Sequence, residues 1–145
     1  MPKAKRVQKI LVGLKQASDA EQLLALAAQL APLGKTITVL HVIEVPPATP
    51  LDAKSSALDA SGHAVARAVK RVARKYPRRK FTVRILHARD TGRTLVDELK
   101  EGKFDLAVLG YHHKRSLTEL LLGTTARYLA EHAPCRLLMN VPPSP

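Results

Sequence analysis

The residues of this chain best equipped for chemistry gather in one segment, Gly110 to Thr125, which reads GYHHKRSLTELLLGTT. Gly110 ends an apolar run, and Gly123 stands just before a helical pattern whose first hydroxyls belong to Thr124 and Thr125. Glycine at both points lets backbone amides come close to a ligand, while the unbonded N–H groups and dipole at a helix start favour a phosphate. Lys114 and Arg115 add positive charge to the same loop. The spacing also fits an ordinary crossover loop before a capped helix, so the pattern leaves phosphate binding and plain connection both open.

Other chemistries lack the residues they need. The histidines His41, His63, His87, His112, His113 and His132 include no i, i+4 pair accompanied by a glutamate, and Cys135 has no partner cysteine, so no metal site is expected. Neither G-x4-G-K-[ST] nor G-x-S-x-G occurs. Cys135 follows Pro134 directly before an apolar run and reads as a buried, inert thiol. A phosphorelay receiver domain needs acids at the carboxyl ends of its strands to hold a metal. Here Lys15 occupies the first such end and Asp105 precedes its strand, which excludes that class.

Charge is the second conspicuous feature. Lys and Arg number 24 against 12 Asp and Glu, a formal net charge of +12. Eight of the basic residues fall between Arg67 and Lys80 without one acid. Arg67, Lys70, Arg71, Arg74, Lys75 and Arg78 can share one outer helix face, either as a solvated surface whose cations complement the helix dipole or as a patch for polyanions. Tyr76 is the one aromatic residue near this run and fits a buried stripe, so nothing there can stack bases. Salt-sensitive, sequence-independent attraction is expected, without specific nucleic-acid recognition.

The elements that must position these groups follow from patterning. With 145 residues, 46% apolar and 3% aromatic, the chain predicts one domain over 1–145. Apolar stretches such as Leu23 to Leu30 fall well short of the roughly 18 residues a membrane span needs, and Met1 to Arg6 leads into no apolar signal region. A single cysteine allows no internal disulfide. A cytoplasmic protein without membrane attachment is expected.

Val7 to Leu14 (VQKILVGL) reads as a strand, followed by a helix with Ser18 and Asp19 as N-cap oxygens and Leu23, Leu24, Ala27, Leu30 and Ala31 on its apolar face. Thr36 to Val45 reads as a strand buried on both faces. A helix is expected between Asp52 and Tyr76, with Val65, Val69, Val72 and Tyr76 inward. Phe81 to His87, Leu106 to Gly110 and Arg136 to Val141 complete five strands, with helices over Thr91 to Glu101 and Thr124 to His132 between them. Strands joined by helices demand right-handed crossovers into a parallel sheet, whose ligands bind beyond the strands' carboxyl ends where strand order reverses. The loops Gly13 to Ser18, Val45 to Pro50 and Gly110 to Thr125 lie at that end.

With these elements in order, the chain resembles the universal stress protein family along almost its whole length. ILVGLKQASDAEQLLALAAQLA is similar to the family's first strand and helix, TVLHVIE to its second strand and DLAVLG to its fourth. GTTARYLAEHAPCRLLMNV, similar to the closing helix and strand, is the most specific match. The resemblance implies an α/β fold with a five-stranded parallel sheet in the order 3-2-1-4-5 and helices on both faces, a Rossmann-like three-layer domain. It also implies a homodimer paired through the last strand and, in one branch, an ATP site with the pattern G-x2-G-x9-G-[ST].

On that pattern Gly110 matches the first glycine, Gly123 the third and Thr124 the hydroxyl, with Thr125 beside it. His113 stands at the second glycine, where its side chain would oppose close approach of backbone to phosphate. Lys15, following Leu14 at the end of strand one, stands where ATP-binding members carry an acidic contact to the nucleoside. Val42 matches the position lying against adenine. Either the crevice is vestigial for ATP, or it has been retuned to a more anionic small ligand. The expected function is a stress-response binding and regulatory module with a degenerate nucleotide crevice, needing no cofactor. The alternatives are a slow ATPase, for which Glu119 is the one acid inside the loop, and a polyanion-binding accessory protein.

Overall fold

The computed structural model describes residues 6–111 and 123–141. Its strands are β1 (Ile10–Gly13), β2 (Thr36–Glu44), β3 (Lys80–Ala88), β4 (Leu106–Gly110) and β5 (Arg136–Asn140). Its α-helices are α1 (Ala20–Leu30), α2 (Ser56–Ala73), α3 (Thr91–Glu101) and α4 (Thr124–His132), and a 3-10 turn at Ala17–Asp19 leads into α1. The five strands form one sheet in the order β3-β2-β1-β4-β5, with every pairing parallel.

Side chains alternate across the strands, so the sheet builds two cores. On one face Ile10, Val12, Ile37 and Val39 meet Leu23, Leu24 and Ala27 of α1 and Val65, Val69 and Val72 of α2. On the other, Leu11, Leu40, Ala107 and Leu109 meet Leu95, Val96 and Leu99 of α3 and Leu129 of α4. Gly13 leaves room for the Leu109 side chain, which a Cβ there would meet at 2.7 Å and push aside.

Some boundaries differ from expectation, each for a local reason. β1 begins at Ile10 rather than Val7, because the amides of Gln8 and Lys9 donate to the Asp105 carboxylate, at 3.0 and 2.9 Å, instead of to a strand. α1 receives no side-chain cap from Asp19; the 3-10 turn takes up the chain direction instead. Ala28 takes an inward position on α1, whereas Leu30 is 42% exposed. Gly34, at φ 82°, then makes the turn in a conformation glycine adopts without strain. α2 starts four residues after the expected Asp52, where the Ser55 hydroxyl accepts from the Leu58 amide at 3.3 Å, and it ends at Ala73 before a run of tight turns ahead of Pro77. The bounds of α3, β4 and α4 agree with the sequence reading, and Asp90 caps α3 by accepting from the Arg93 amide at 3.1 Å.

Candidate functional site

Strand order reverses between β1 and β4, because α1 carries the chain to β2 on one side while α3 brings it back to the other. A crevice therefore opens at the carboxyl ends of these central strands. Gly13 pairs in register with Leu109, so Leu14 and Lys15 leave β1 where Gly110 ends β4. Leu14 is buried, donates its amide to the Leu40 carbonyl at 3.0 Å and so stays tied to β2, while Lys15 is exposed. Val42, two residues beyond Leu40, is half-buried and packs against the α3/α4 core.

At the last helix, Gly123 is exposed and occupies the N-cap of α4, where its carbonyl accepts from the Arg127 amide at 2.9 Å. Having no side chain, it offers no oxygen to the first-turn amides of Thr124, Thr125 and Ala126. That is the chemistry of an anion-favouring helix start. Thr124 is exposed and Thr125 half-buried. Of the remaining loop residues singled out by sequence, His113, Lys114, Arg115 and Glu119 lie outside the described residues.

Two features of this end of the sheet escaped the sequence reading. His41 is 3% exposed in the middle of β2, with Nδ1 2.8 Å from the Leu14 carbonyl and Nε2 3.0 Å from the Ser61 hydroxyl of α2. A carbonyl can only accept, so Nδ1 carries the proton and donates, and in the neutral ring Nε2 accepts from Ser61. His41 thus fixes the departure of the loop bearing Lys15 and joins it to α2. Its signal in the sequence was a lone polar residue inside TITVLHVIEV, a position where burial obliges hydrogen bonding.

The second feature is Arg89, which donates to the carbonyls of Val45, Pro46 and Thr49 and so latches the β2–α2 loop from the end of β3. Glu44 supports the same corner by accepting from the amide and hydroxyl of Thr91 at 3.1 and 2.7 Å. Isolated charged residues beside turns give no sequence signal for such reciprocal fastening.

The basic residues of α2 and the turn after it divide into two groups. Arg67, Lys70, Arg71, Arg74 and Arg78 are exposed. Lys75 is exposed too but forms an ion pair with Glu21 of α1, and Arg79 donates to the Ala31 carbonyl. Cys135 is half-buried rather than fully buried, and its thiol is pushed above the ordinary value by burial first and the nearby Asp105 carboxylate second, partly offset by a hydrogen bond from the Ala107 backbone. Among the described residues no helix is long and apolar enough to cross a membrane, and no group of three or more His, Cys, Asp or Glu could hold a metal ion.

An all-parallel sheet in this order, with a glycine-started closing helix at its switch point, defines a Rossmann-like α/β domain of the universal stress type. The sequence agrees: the model of the Universal stress protein family matches residues 6–141, and the chain belongs to that family. No curated protein matches it significantly. Among solved structures, UspA from Lactobacillus plantarum is 23% identical, with 94% of this chain and 99% of that chain covered at a TM-score of 0.62. The universal stress protein of Archaeoglobus fulgidus in complex with dAMP is 18% identical, with 93% and 98% covered at a TM-score of 0.65. A family member from Arabidopsis thaliana with AMP bound is 17% identical, with 94% and 93% covered at a TM-score of 0.61. At these identities the structural likeness speaks for the fold.

Proposed function

We propose that this chain is a non-catalytic binding and regulatory module of the universal stress type, a cytoplasmic homodimer paired through β5, whose nucleotide crevice has lost useful affinity for ATP. The observation that carries the reading is Lys15, exposed at the carboxyl end of β1 beside the switch point. An ammonium only donates, so it cannot accept a hydrogen bond from a sugar hydroxyl as a carboxylate does. His113 adds a side chain at the position where the family pattern has its second glycine. The dAMP and AMP bound by two similar proteins support a nucleotide-type origin for the crevice. Gly110, Gly123 and the start of α4 keep the features that favour an anionic group, and Lys15 adds to them, which supports an anionic small ligand in place of ATP.

Calorimetry with ATP and AMP near physiological salt tests this. Two lost contacts at about 1.5 to 3 kcal/mol each weaken a micromolar site by about a hundredfold to ten-thousandfold, to a dissociation constant of about 0.1 mM or weaker, so no micromolar binding is expected. Lys15→Asp combined with His113→Gly restores micromolar binding on this reading. Micromolar ATP binding by the natural protein that survives Lys15→Ala overturns it. ADP release from added ATP, above a protein-free blank, would instead favour the slow ATPase.

A further inference from the structure

The sheet's outer strand on the α2 side presents a surface that the nucleotide crevice does not use. β3 pairs with β2 at nine consecutive register positions, Lys80 to Ala88, and among the described residues its other edge pairs with no strand. An edge of that length carries a row of unpaired amides and carbonyls, a template for another strand. Between this edge and α2 runs a groove of about 410 Å³, floored by Val69, Ala73, Phe81 and Val83 and rimmed by Lys70 and Arg74.

Charge decides what can lie there. Residues 60–89 hold ten Lys and Arg and no acid, and the whole groove belongs to that stretch. Four of its cations are already engaged: Arg84 with Glu98, Lys75 with Glu21, Arg79 with the Ala31 carbonyl, and Arg89 with the carbonyls of Val45, Pro46 and Thr49. Among the described residues, Lys70, Arg74 and Lys80 pair with no acid and stand exposed around the groove and the edge. A second copy of this chain would bring the same positive charge against its own and be repelled. The apolar floor and open backbone edge are of no use to a nucleic acid, which takes phosphate contacts and stacking platforms.

We propose that the β3 edge and the α2–β3 groove bind an extended acidic segment of a partner protein as an added strand. Side chains of a strand alternate between faces, so one set of the segment's residues would enter the groove as apolar anchors. The other set would face the side of Lys80, and acids flanking the segment would meet Lys70 and Arg74. Main-chain hydrogen bonds to β3 supply the affinity that simple charge attraction lacks at physiological salt.

The test is fluorescence anisotropy with a labelled peptide whose core of alternating valine and glutamate is flanked at each end by further glutamates, at about 150 mM salt. Saturable binding is expected, weakened at least tenfold when alternate peptide amides are N-methylated, since that removes strand pairing without changing charge. Lys70→Glu with Arg74→Glu should weaken it at least tenfold, and Ala73→Gln, which fills the groove and keeps the charge, several-fold, with thermal melts confirming that both variants remain folded. The N-methylated peptide needs no change in the protein, so it decides the matter even if a variant misfolds. Absence of binding overturns the proposal. So does an N-methylated peptide or an octaglutamate that binds as tightly as the alternating one, or displacement by a short single-stranded oligonucleotide at equal concentration, because each would leave only attraction to polyanions. None of these outcomes depends on whether the crevice binds ATP.

Discussion

The two edges of the sheet are built from opposite materials. β3 is nine residues long, bears Lys80, Arg84 and His87, and runs beside the most basic helix of the molecule. β5 is five residues long and offers Leu137, Leu138 and Met139, all half-buried, with Leu138 packing toward the α1/α2 core and Leu137 toward the α3/α4 core. Among the described residues neither outer edge pairs with a further strand, so backbone chemistry alone does not distinguish them. Side chains do: an apolar edge gains by meeting its own twin about a two-fold axis, whereas a cationic edge repels its twin and admits an acidic stranger. Length works in the same direction, since nine open positions can hold a peptide that has no fold of its own.

The sharpest way to break this contrast is to attack β5. If β5 pairs with its twin, Met139→Lys places an unpaired cation in the interface, at a cost of about 3 kcal/mol or more, over a hundredfold in dimer affinity. Asn140 turns its carbonyl inward to the Tyr111 amide, so Leu137, in the opposite alternation, turns its amide to the open edge. Leu137→Pro removes that amide and should abolish the dimer at concentrations where the natural chain is fully paired. Light scattering at high micromolar concentration reads both, with melting curves to show that the monomers stay folded. A natural chain that is monomeric there, or a dimer indifferent to both changes, would erase the distinction between the edges.

A smaller effect is expected midway between the edges, where sequence reading and structure part company most instructively. The five strands and the exact spans of α3, β4 and α4 were legible because each rests on local pattern, such as the LAVLG run ending at Gly110 or the Asp90 cap before Thr91, whereas the order of the strands came only from the family resemblance. The late start of β1 was not, because it depends on Asp105, distant in sequence, drawing the amides of Gln8 and Lys9 away from a ladder. The crevice was legible in its glycines and threonines but not in its support, since His41, Leu14 and Ser61 come from three separate segments. His41→Leu leaves the carbonyl of buried Leu14 without this partner and cuts the link to the exposed Ser61 hydroxyl of α2, and it should cost about 1 to 3 kcal/mol in urea unfolding with an unchanged slope. A loss under about 0.5 kcal/mol, within the range of ordinary surface substitutions, would mean that the bridge does not hold the sheet's centre to α2.

The smallest effect belongs to Cys135, which immediately precedes β5 and so reports on that edge. Burial, with the Asp105 carboxylate second, raises its thiol above the ordinary value of about 8.5. The folded chain therefore keeps its proton at pH values where the unfolded chain has lost it. The resulting stability is fully present below the unfolded thiol's value and is lost as pH rises through the folded one. Cys135→Ser should flatten the fall in stability above about pH 8, after allowance for the slope that other groups contribute. Alkylation by iodoacetamide near neutral pH should be slower than for a free thiol, because the thiolate is the reacting form. If β5 is covered by its twin, alkylation should slow further as protein concentration is raised through the dimer's dissociation constant. A rate independent of concentration in a protein that does dimerise would move the interface away from β5 and leave the apolar edge without its partner.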